Sequence, residues 1–165
     1  MRRVNISERT FGYDPADPDG FHAGVIRLGP EVGARDTGTS VYELPPGQAL
    51  CPYHYEYAEE EWMLVLRGRP AVRTPAGTEQ LRPDDVVFFP KGPDGAHQIR
   101  NDTDETVRVL LWSTVVYPAA TAYVDSGKVG VYTGIEGEDL MVRRSSAVDY
   151  YDGEGPTRTD PRGGA

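Results

Sequence analysis

Residues 45–68 read PPGQALCPYHYEYAEEEWMLVLRG, and this stretch decides how the fold is interpreted. His54 and Glu56 are two residues apart in a predicted β-strand, so their side chains lie on the same face of it. A short turn at 57–60 follows, and Glu61 begins a second, more apolar strand. Because the chain returns antiparallel, Glu61 is predicted to lie beside the face that carries His54 and Glu56.

A second informative stretch is residues 85–101, DVVFFPKGPDGAHQIRN. An apolar strand leads into a turn rich in glycine and proline, and His97 begins the strand that follows. The sequence contains three histidines, and the remaining one, His22, lies in the polar N-terminal segment. Two histidines with neighbouring carboxylates form a donor set typical of a divalent metal site.

Short strands separated by turns continue along the chain at a spacing of about ten residues. The predicted strands are 25–28, 39–44, 52–57, 61–66, 71–74, 79–81, 86–89, 97–99 and 106–114. Long helical periodicity is absent, and one short helix is predicted near 145–150. This rhythm indicates an antiparallel sandwich or barrel.

The two stretches resemble the two sequence motifs of the cupin superfamily, and most closely those of single-domain members. The first motif has a glycine, His-x-His, a glutamate and a second glycine; the matching residues are Gly47, His54, Glu56, Glu61 and Gly68. The second has proline, glycine, histidine and asparagine; the matching residues are Pro90, Gly95, His97 and Asn101. The resemblance implies an all-β fold, a cupin-type antiparallel jelly-roll β-barrel (double-stranded β-helix) with at most one or two short helices.

The predicted organisation places this barrel at residues 25–125. Residues 1–24 form an N-terminal arm, and residues 126–152 form a C-terminal strand or short helix that packs on the barrel. Residues 153–165 contain GEGPTRTDPRGGA and are predicted to be a flexible tail.

The resemblance also implies a metal site, with His54, Glu61 and His97 as ligands. The usual second histidine of the first motif is Glu56 here. Two imidazoles and two carboxylates cancel the charge of one divalent ion and favour harder ions such as Mn and Fe. Zn and Ni also stay open. Glu60 is an alternative to Glu61, but the family spacing of six residues before Gly68 favours Glu61.

The role of Glu56 has two interpretations. As a fourth metal ligand, it completes a set of His54, Glu56, Glu61 and His97. If it does not bind, the other three form a two-histidine, one-carboxylate face with open positions, and Glu56 becomes a catalytic general base beside them. Ligation is the favoured interpretation.

Charge and composition restrict the partners. The formal net charge is −9 and no basic patch is visible, so neither nucleic acid nor an anionic membrane is an expected partner. Because Cys51 is the single cysteine, an intramolecular disulfide is excluded. Cys51 shares strand parity with the tyrosines of YHYEY, which point away from the face of His54 and Glu56, and it is predicted to be a small, buried and inert side chain. The N-terminal residues MRRVNISERT lack a signal-like apolar run, so a cytoplasmic location is expected.

Two classes of function follow. The first is a metal-dependent enzyme, an oxidoreductase of the dioxygenase type or an isomerase or epimerase, that acts on a small oxygen-rich metabolite. The alternative is a non-catalytic barrel that binds a small ligand or serves an accessory role. A homodimer that pairs through the N-terminal arm is expected in either case.

Overall fold

The computed structural model describes residues 1–155 and confirms the predicted all-β jelly-roll architecture. The strands of this part are β1 (Gly24–Arg27), β2 (Thr37–Leu44), β3 (His54–Glu56), β4 (Glu61–Arg67), β5 (Ala71–Thr74), β6 (Gly77–Gln80), β7 (Val86–Phe89), β8 (Gln98–Arg100), β9 (Val107–Thr114), β10 (Ala119–Tyr123), β11 (Lys128–Tyr132) and β12 (Leu140–Arg143). A five-residue helix, α1 (Leu28–Val32), follows β1. Three 3-10 turns lie at Ile6–Glu8, Pro93–Gly95 and Arg144–Ser146.

The strands form two walls. One wall is a five-stranded antiparallel sheet in the order β1-β2-β9-β4-β7. The opposite wall consists of a four-stranded sheet, β12-β11-β10-β3, and a three-stranded sheet, β6-β5-β8. An isolated antiparallel bridge between His54 and His97 joins these two smaller sheets. The two motif histidines therefore lie at the seam of one wall, facing the other.

Side-chain alternation along β4 separates the interior from the outer surface. Met63 and Val65 are fully buried, whereas Trp62 and Leu66 on the other face are 37% and 40% exposed. This alternation is the period of two that a β-strand imposes. The apolar cluster inside the barrel consists of Leu44, Met63, Val65, Val72, Leu81, Phe89, Ile99, Val107 and Val109.

Two residues of the motifs close one end of this barrel, beside the apolar cluster. Gly68 has φ 78°, and a Cβ there would lie 2.9 Å from Val107 Cγ2, so the turn requires glycine. Asn101 is fully buried, and its Nδ2 donates to the carbonyl oxygens of Leu44 at 2.8 Å and Glu105 at 2.7 Å. These bonds satisfy backbone groups that the turns would otherwise leave unpaired.

The C-terminal part differs most from the sequence prediction. Strands β10 and β11 form a hairpin on β3, and β12 extends it. The sequence predicted a single strand or a short helix for residues 126–152, where β11 and β12 lie, and no strand at β10. β10 reads AATAY, which lacks the large apolar residues that identify a strand. In place of the helix predicted near 145–150, the chain makes the exposed turn Arg144–Ser146. Most of the predicted flexible tail, residues 156–165, lies outside the described residues.

A second local element was also missed. Helix α1 follows β1 directly and ends at Gly33, which adopts the left-handed conformation at φ 68°. Within residues 1–155, no helix has the length and apolar character needed to cross a membrane.

Candidate metal centre

His54 and His97 are held side by side by backbone hydrogen bonds. The amide of His54 donates to the carbonyl of His97 at 3.1 Å, and the amide of His97 donates to the carbonyl of His54 at 2.8 Å. Residues paired in this way project their side chains from the same face of a sheet. Their ring centroids are accordingly 4.6 Å apart, and both rings point into the barrel.

Both imidazoles are fixed in the tautomer that leaves Nε2 free to bind a metal. His54 Nδ1 lies 2.9 Å from the carbonyl oxygen of Pro52, and His97 Nδ1 lies 2.9 Å from that of Gly95. Because a carbonyl can only accept, each Nδ1 carries the proton and each Nε2 presents a lone pair. A backbone carbonyl behind the ring is a common partner of a metal-binding histidine.

The turn before His97 depends on a glycine. A Cβ built at Gly95 would lie 1.7 Å from the carbonyl oxygen of Pro90, which is a steric clash with backbone. Any other residue would displace the carbonyl of residue 95, and His97 Nδ1 would lose its acceptor. The glycine of the second motif thus orients the ligand two residues later.

Glu61 approaches from the opposite wall, as the first residue of β4. Its Oε2 lies 3.6 Å from His97 Nε2 and 3.9 Å from His54 Nε2. Ligand atoms of His54, Glu61 and His97 all lie within 4.8 Å of one another. Glu60, the alternative in the sequence, is exposed and outside this set. The predicted convergence of Glu61 with the two histidines is therefore observed.

Burial penalises the charged forms of these groups. The pKa of His97 is lowered to about 3, chiefly by burial and then by the nearby His54. The pKa of Glu61 is raised to about 7 by burial and by the charges of Glu56 and Glu59. The raised pKa of Glu61 indicates a buried negative charge without a compensating cation, and the lowered pKa of His97 favours its neutral imidazole.

The donor atoms fit a divalent metal. His97 Nε2 is buried and has no hydrogen-bond partner within residues 1–155, although buried polar atoms are normally satisfied. A metal bound by this nitrogen, by His54 Nε2 and by Glu61 would give it a partner and would neutralise the buried carboxylate. His54, Glu61 and His97 are thus positioned to hold an ion whose identity stays open between Fe, Mn, Zn and Ni.

Glu56 lies beside the three converging residues. Its Oε1 is 3.7 Å from His54 Nε2, and Thr121 Oγ1 lies 2.8 and 2.7 Å from its two carboxylate oxygens. Burial raises the pKa of Glu56 to about 7, while the Thr121 hydroxyl acts in the opposite direction and the charge of Glu59 adds to the rise. Whether Glu56 binds the metal or acts as a base stays a prediction.

The site opens into a cavity of about 770 Å³. His54 and Glu56 form its floor together with Thr121, and the Tyr123 ring stacks on His54 at 6.2 Å between centroids. The hydroxyls of Tyr123 and Tyr132, which also line the cavity, are 2.7 Å apart. A volume of this size accommodates a small metabolite.

Sequence reasoning missed Thr121 and both of these tyrosines because they lie on β10 and β11. The pairing of Thr121 with Glu56 in the β10–β3 register is set by tertiary structure and has no local signature. The prediction for Cys51 was also incomplete. Cys51 precedes β3 rather than belonging to it, so strand parity does not apply; its Sγ lies 3.5 Å from His54 Nδ1, and it lines the cavity.

Comparisons with known proteins agree with this geometry. A family profile described as a cupin domain matches residues 40–113, which contain all four candidate site residues. Among solved structures, a candidate sugar phosphate isomerase from Acidithiobacillus ferrooxidans has a TM-score of 0.78 and 26% identity, covering 87% of this chain and 91% of that one.

Two further structures are similar in fold. A sugar phosphate isomerase of the cupin superfamily from Silicibacter pomeroyi has a TM-score of 0.77 and 20% identity, covering 91% of this chain and 98% of that one. A polyketide cyclase from Streptomyces resistomycificus has a TM-score of 0.56 and 23% identity over 69% and 79% of the two chains. No curated protein matches the chain by sequence.

Proposed function

We propose that this chain, whose residues 40–113 match a cupin-domain profile, is a metal-dependent isomerase of a small, oxygen-rich carbonyl compound of the sugar class. Two similar structures are described as sugar phosphate isomerases or candidates for that activity, which favours isomerase over dioxygenase chemistry. Fold similarity alone does not assign a reaction, so the proposal rests on the site.

One observation carries the proposal: the unpartnered, buried Nε2 of His97, which lies 3.6 Å from Glu61 Oε2. A structural histidine would have its second nitrogen satisfied. With His54 Nε2 on the same side, three donors point at one position next to a cavity of about 770 Å³. His54, Glu61 and His97 would hold the metal, and the cavity would hold the substrate.

A divalent metal in this position supplies Lewis acidity, which polarises a carbonyl oxygen and makes the proton on the adjacent carbon easier to remove. The chain's own contribution is to place a base there. Glu56 lines the same cavity, and its carboxylate is oriented by the Thr121 hydroxyl at 2.7 Å. We assign Glu56 the role of this general base, in preference to that of a fourth ligand, because the hydroxyl aligns it toward the cavity.

The reaction needs no external oxidant or reductant. Glu56 takes the proton from the carbon that bears the hydroxyl and returns it to the former carbonyl carbon. The hydroxyl proton moves to the former carbonyl oxygen, so one C–H bond breaks, another forms and the atoms balance. Tyr123 and Tyr132, whose hydroxyls face the cavity, supply hydrogen-bonding groups for a polyhydroxylated substrate.

The first test is metal analysis of the full chain purified without added metal, followed by proton-exchange measurements. The loaded protein is incubated with phosphorylated aldoses and ketoses in D2O, and deuterium uptake next to the carbonyl is followed by NMR. We expect one equivalent of metal and metal-dependent exchange, both removed by a chelator. Stoichiometric metal with no exchange on any compound that binds would favour the non-catalytic alternative.

A matched pair of variants separates the roles of neighbouring carboxylates. Glu56→Gln is expected to abolish exchange while the metal is retained. Glu61→Gln is expected to weaken metal binding itself. Glu60→Gln removes an exposed carboxylate next to Glu61 and should change neither. Exchange that persists in Glu56→Gln would contradict the assignment of the base.

A further inference from the structure

A second cavity of about 370 Å³ adjoins the metal cavity. The two share Arg27 and Tyr117 in their linings, so the two cavities are neighbours at these residues. Arg35, Ser40 and the glycine backbone at Gly38 also line the second cavity. This region is separate from the metal ligands and was not among the predicted site residues.

The strand register places Arg27 on the interior face of the barrel. Arg27 is paired with Ser40 across β1 and β2, Ser40 with Leu111 across β2 and β9, and Leu111 with Met63 across β9 and β4. Met63 is fully buried in the core, and laterally paired residues share a face. Arg27 therefore continues this row at the edge of the sheet, where its side chain is exposed and lines the cavity.

The charge around this position is unusual for the chain. The formal net charge is −9, yet the second cavity is lined by two arginines and by no aspartate or glutamate. Within residues 1–155, five arginines form ion pairs with carboxylates, and Arg27 and Arg35 are among the eight that form none. Two guanidinium groups in a concave site without a carboxylate are a ready receptor for an anion.

Two of the four acidic residues that line the adjacent metal cavity bind loop backbone. Glu59 Oε1 accepts from the amide of Val116 at 2.9 Å, and Asp139 Oδ1 accepts from the amide of Thr133 at 2.9 Å. Neither forms an ion pair with Arg27. The arginines thus keep their donors available while these carboxylates stabilise loop backbone.

We propose that Arg27 and Arg35 form a phosphate-binding subsite, which holds the phosphate monoester end of a substrate whose carbonyl end lies at the metal. This assignment deepens the proposed function and rests on it for the carbonyl end only. A guanidinium presents paired N–H donors that match phosphate oxygens, and Ser40 and Tyr117 add hydroxyl donors. The subsite fixes the reactive end of the substrate relative to Glu56.

Calorimetric titration of the full chain with inorganic phosphate tests the subsite. The chelator-treated protein is used first, so that phosphate cannot bind through metal, and the metal-loaded protein second. Arg27→Gln and Arg35→Gln should each weaken phosphate binding about tenfold, the usual loss for a charge-assisted hydrogen bond. Arg27→Lys should recover part of the affinity. Arg82→Gln removes a charge from an exposed turn and should change it less than about twofold.

The outcomes distinguish this proposal from the proposed function. Equal phosphate affinity in the wild-type chain, Arg27→Gln and Arg35→Gln would overturn the subsite and leave Arg27 as an inward charge that protects an edge strand. Succinate binding as tightly as phosphate, with the same dependence on Arg27, would overturn the phosphate assignment in favour of a carboxylate. Arginine-dependent phosphate binding in a protein that takes up no metal would sustain the subsite while the isomerase proposal fails.

Discussion

Strand β4 presents Glu61, Met63 and Val65 to the barrel interior in succession, but these residues belong to two chemically different regions. Glu61 lies with His54, Glu56 and His97, which we call the metal end. Met63 and Val65 belong to the apolar cluster that includes Leu44, Ile99 and Val109, which we call the packed end. One strand period thus separates a charged carboxylate from the hydrophobic core.

The two ends make opposite contributions to stability. At the packed end, burial of apolar area favours folding, by about 25 cal/mol per Å². At the metal end, burial raises the pKa of Glu61, so its charged form opposes folding until a cation binds, and burial lowers the pKa of His97, so its neutral imidazole is favoured. Phe89 lies at the boundary, stacked on His97 with centroids 3.7 Å apart. Substitutions should therefore separate stability from metal affinity.

The largest effect is expected from Leu44→Ala at the packed end. Leu44 is fully buried, and truncating such a residue removes apolar contacts and leaves a cavity, at a cost of about 2–5 kcal/mol. Urea unfolding of the chelator-treated protein measures this cost. Leu140→Ala is the control, since Leu140 is 57% exposed and should cost less than about 0.5 kcal/mol. Similar losses in the two variants would mean that burial of Leu44 at the packed end does not stabilise the fold as described.

His97→Ala is the corresponding change at the metal end. It removes one of three converging donors. Loss of a residue that only hydrogen-bonds to a metal ligand lowers metal affinity by up to about 100-fold, so loss of the ligand itself should lower it by more than that. The metal-free protein should also lose stability, because the ring is 1% exposed, stacks on Phe89 and donates from Nδ1 to the Gly95 carbonyl, so affinity is measured on protein shown to be folded. Metal titration checks the affinity, with His22→Ala as the control. Undiminished affinity in His97→Ala would refute the site.

The third effect is a dependence of metal binding on pH. Glu56 and Glu61 have pKa values of about 7, raised from an ordinary 4.5, so the folded metal-free protein holds these protons more tightly than the unfolded chain. Its stability from these groups therefore falls as pH rises from 4.5 through 7. The two histidines have lowered pKa values, so their contribution to stability rises with pH up to about 6.5. Just above pH 6.5, therefore, the change in stability comes from the carboxyl groups alone.

Metal binding requires the deprotonated carboxylates and should strengthen over the same interval. For one proton released, affinity rises about tenfold per pH unit below the pKa and levels off above it. Calorimetric titrations at pH 6, 7 and 8 in buffers of different ionisation enthalpy measure both quantities. Glu60→Gln should keep this dependence. A flat profile, with no proton release, would indicate that the carboxyls at the metal end are already ionised.

At both ends of the barrel, the sequence predicted the features that depend on strand alternation and on the two motifs. Alternation along β4 is enough to place Met63 and Val65 on the same face as Glu61, because strand parity depends only on neighbouring residues. The two motifs predicted the convergence of His54, Glu61 and His97. Parity failed for Cys51, which precedes the strand, and gave no information on Arg27, whose place on the interior row depends on pairing across four strands. Thr121 was missed for a similar reason, since β10 has no apolar pattern of its own.

The smallest expected effect concerns Thr121 and decides how Glu56 belongs to the metal end. Thr121→Val keeps the shape of the side chain but removes the hydroxyl 2.7 Å from the Glu56 carboxylate. This should raise the pKa of Glu56 further and reduce proton-exchange activity at pH 7 by about fivefold, the equivalent of one neutral hydrogen bond. Thr121→Ser restores the donor and should restore most of the activity.

The same variant distinguishes a base from a ligand. If Glu56 is the base, Thr121→Val lowers activity, the loss is recovered at higher pH, and metal affinity stays within about twofold of wild type, because none of the three converging donors has changed. If Glu56 binds the metal, its altered orientation weakens metal affinity by about tenfold or more, as loss of a ligand's hydrogen-bond partner generally does. Infrared difference spectra of the carboxyl band, recorded beside the metal titrations, follow Glu56 directly. Unchanged spectra, affinity and activity would show that the Thr121 hydroxyl has no influence on Glu56, and the positioning argument for the base would then fail.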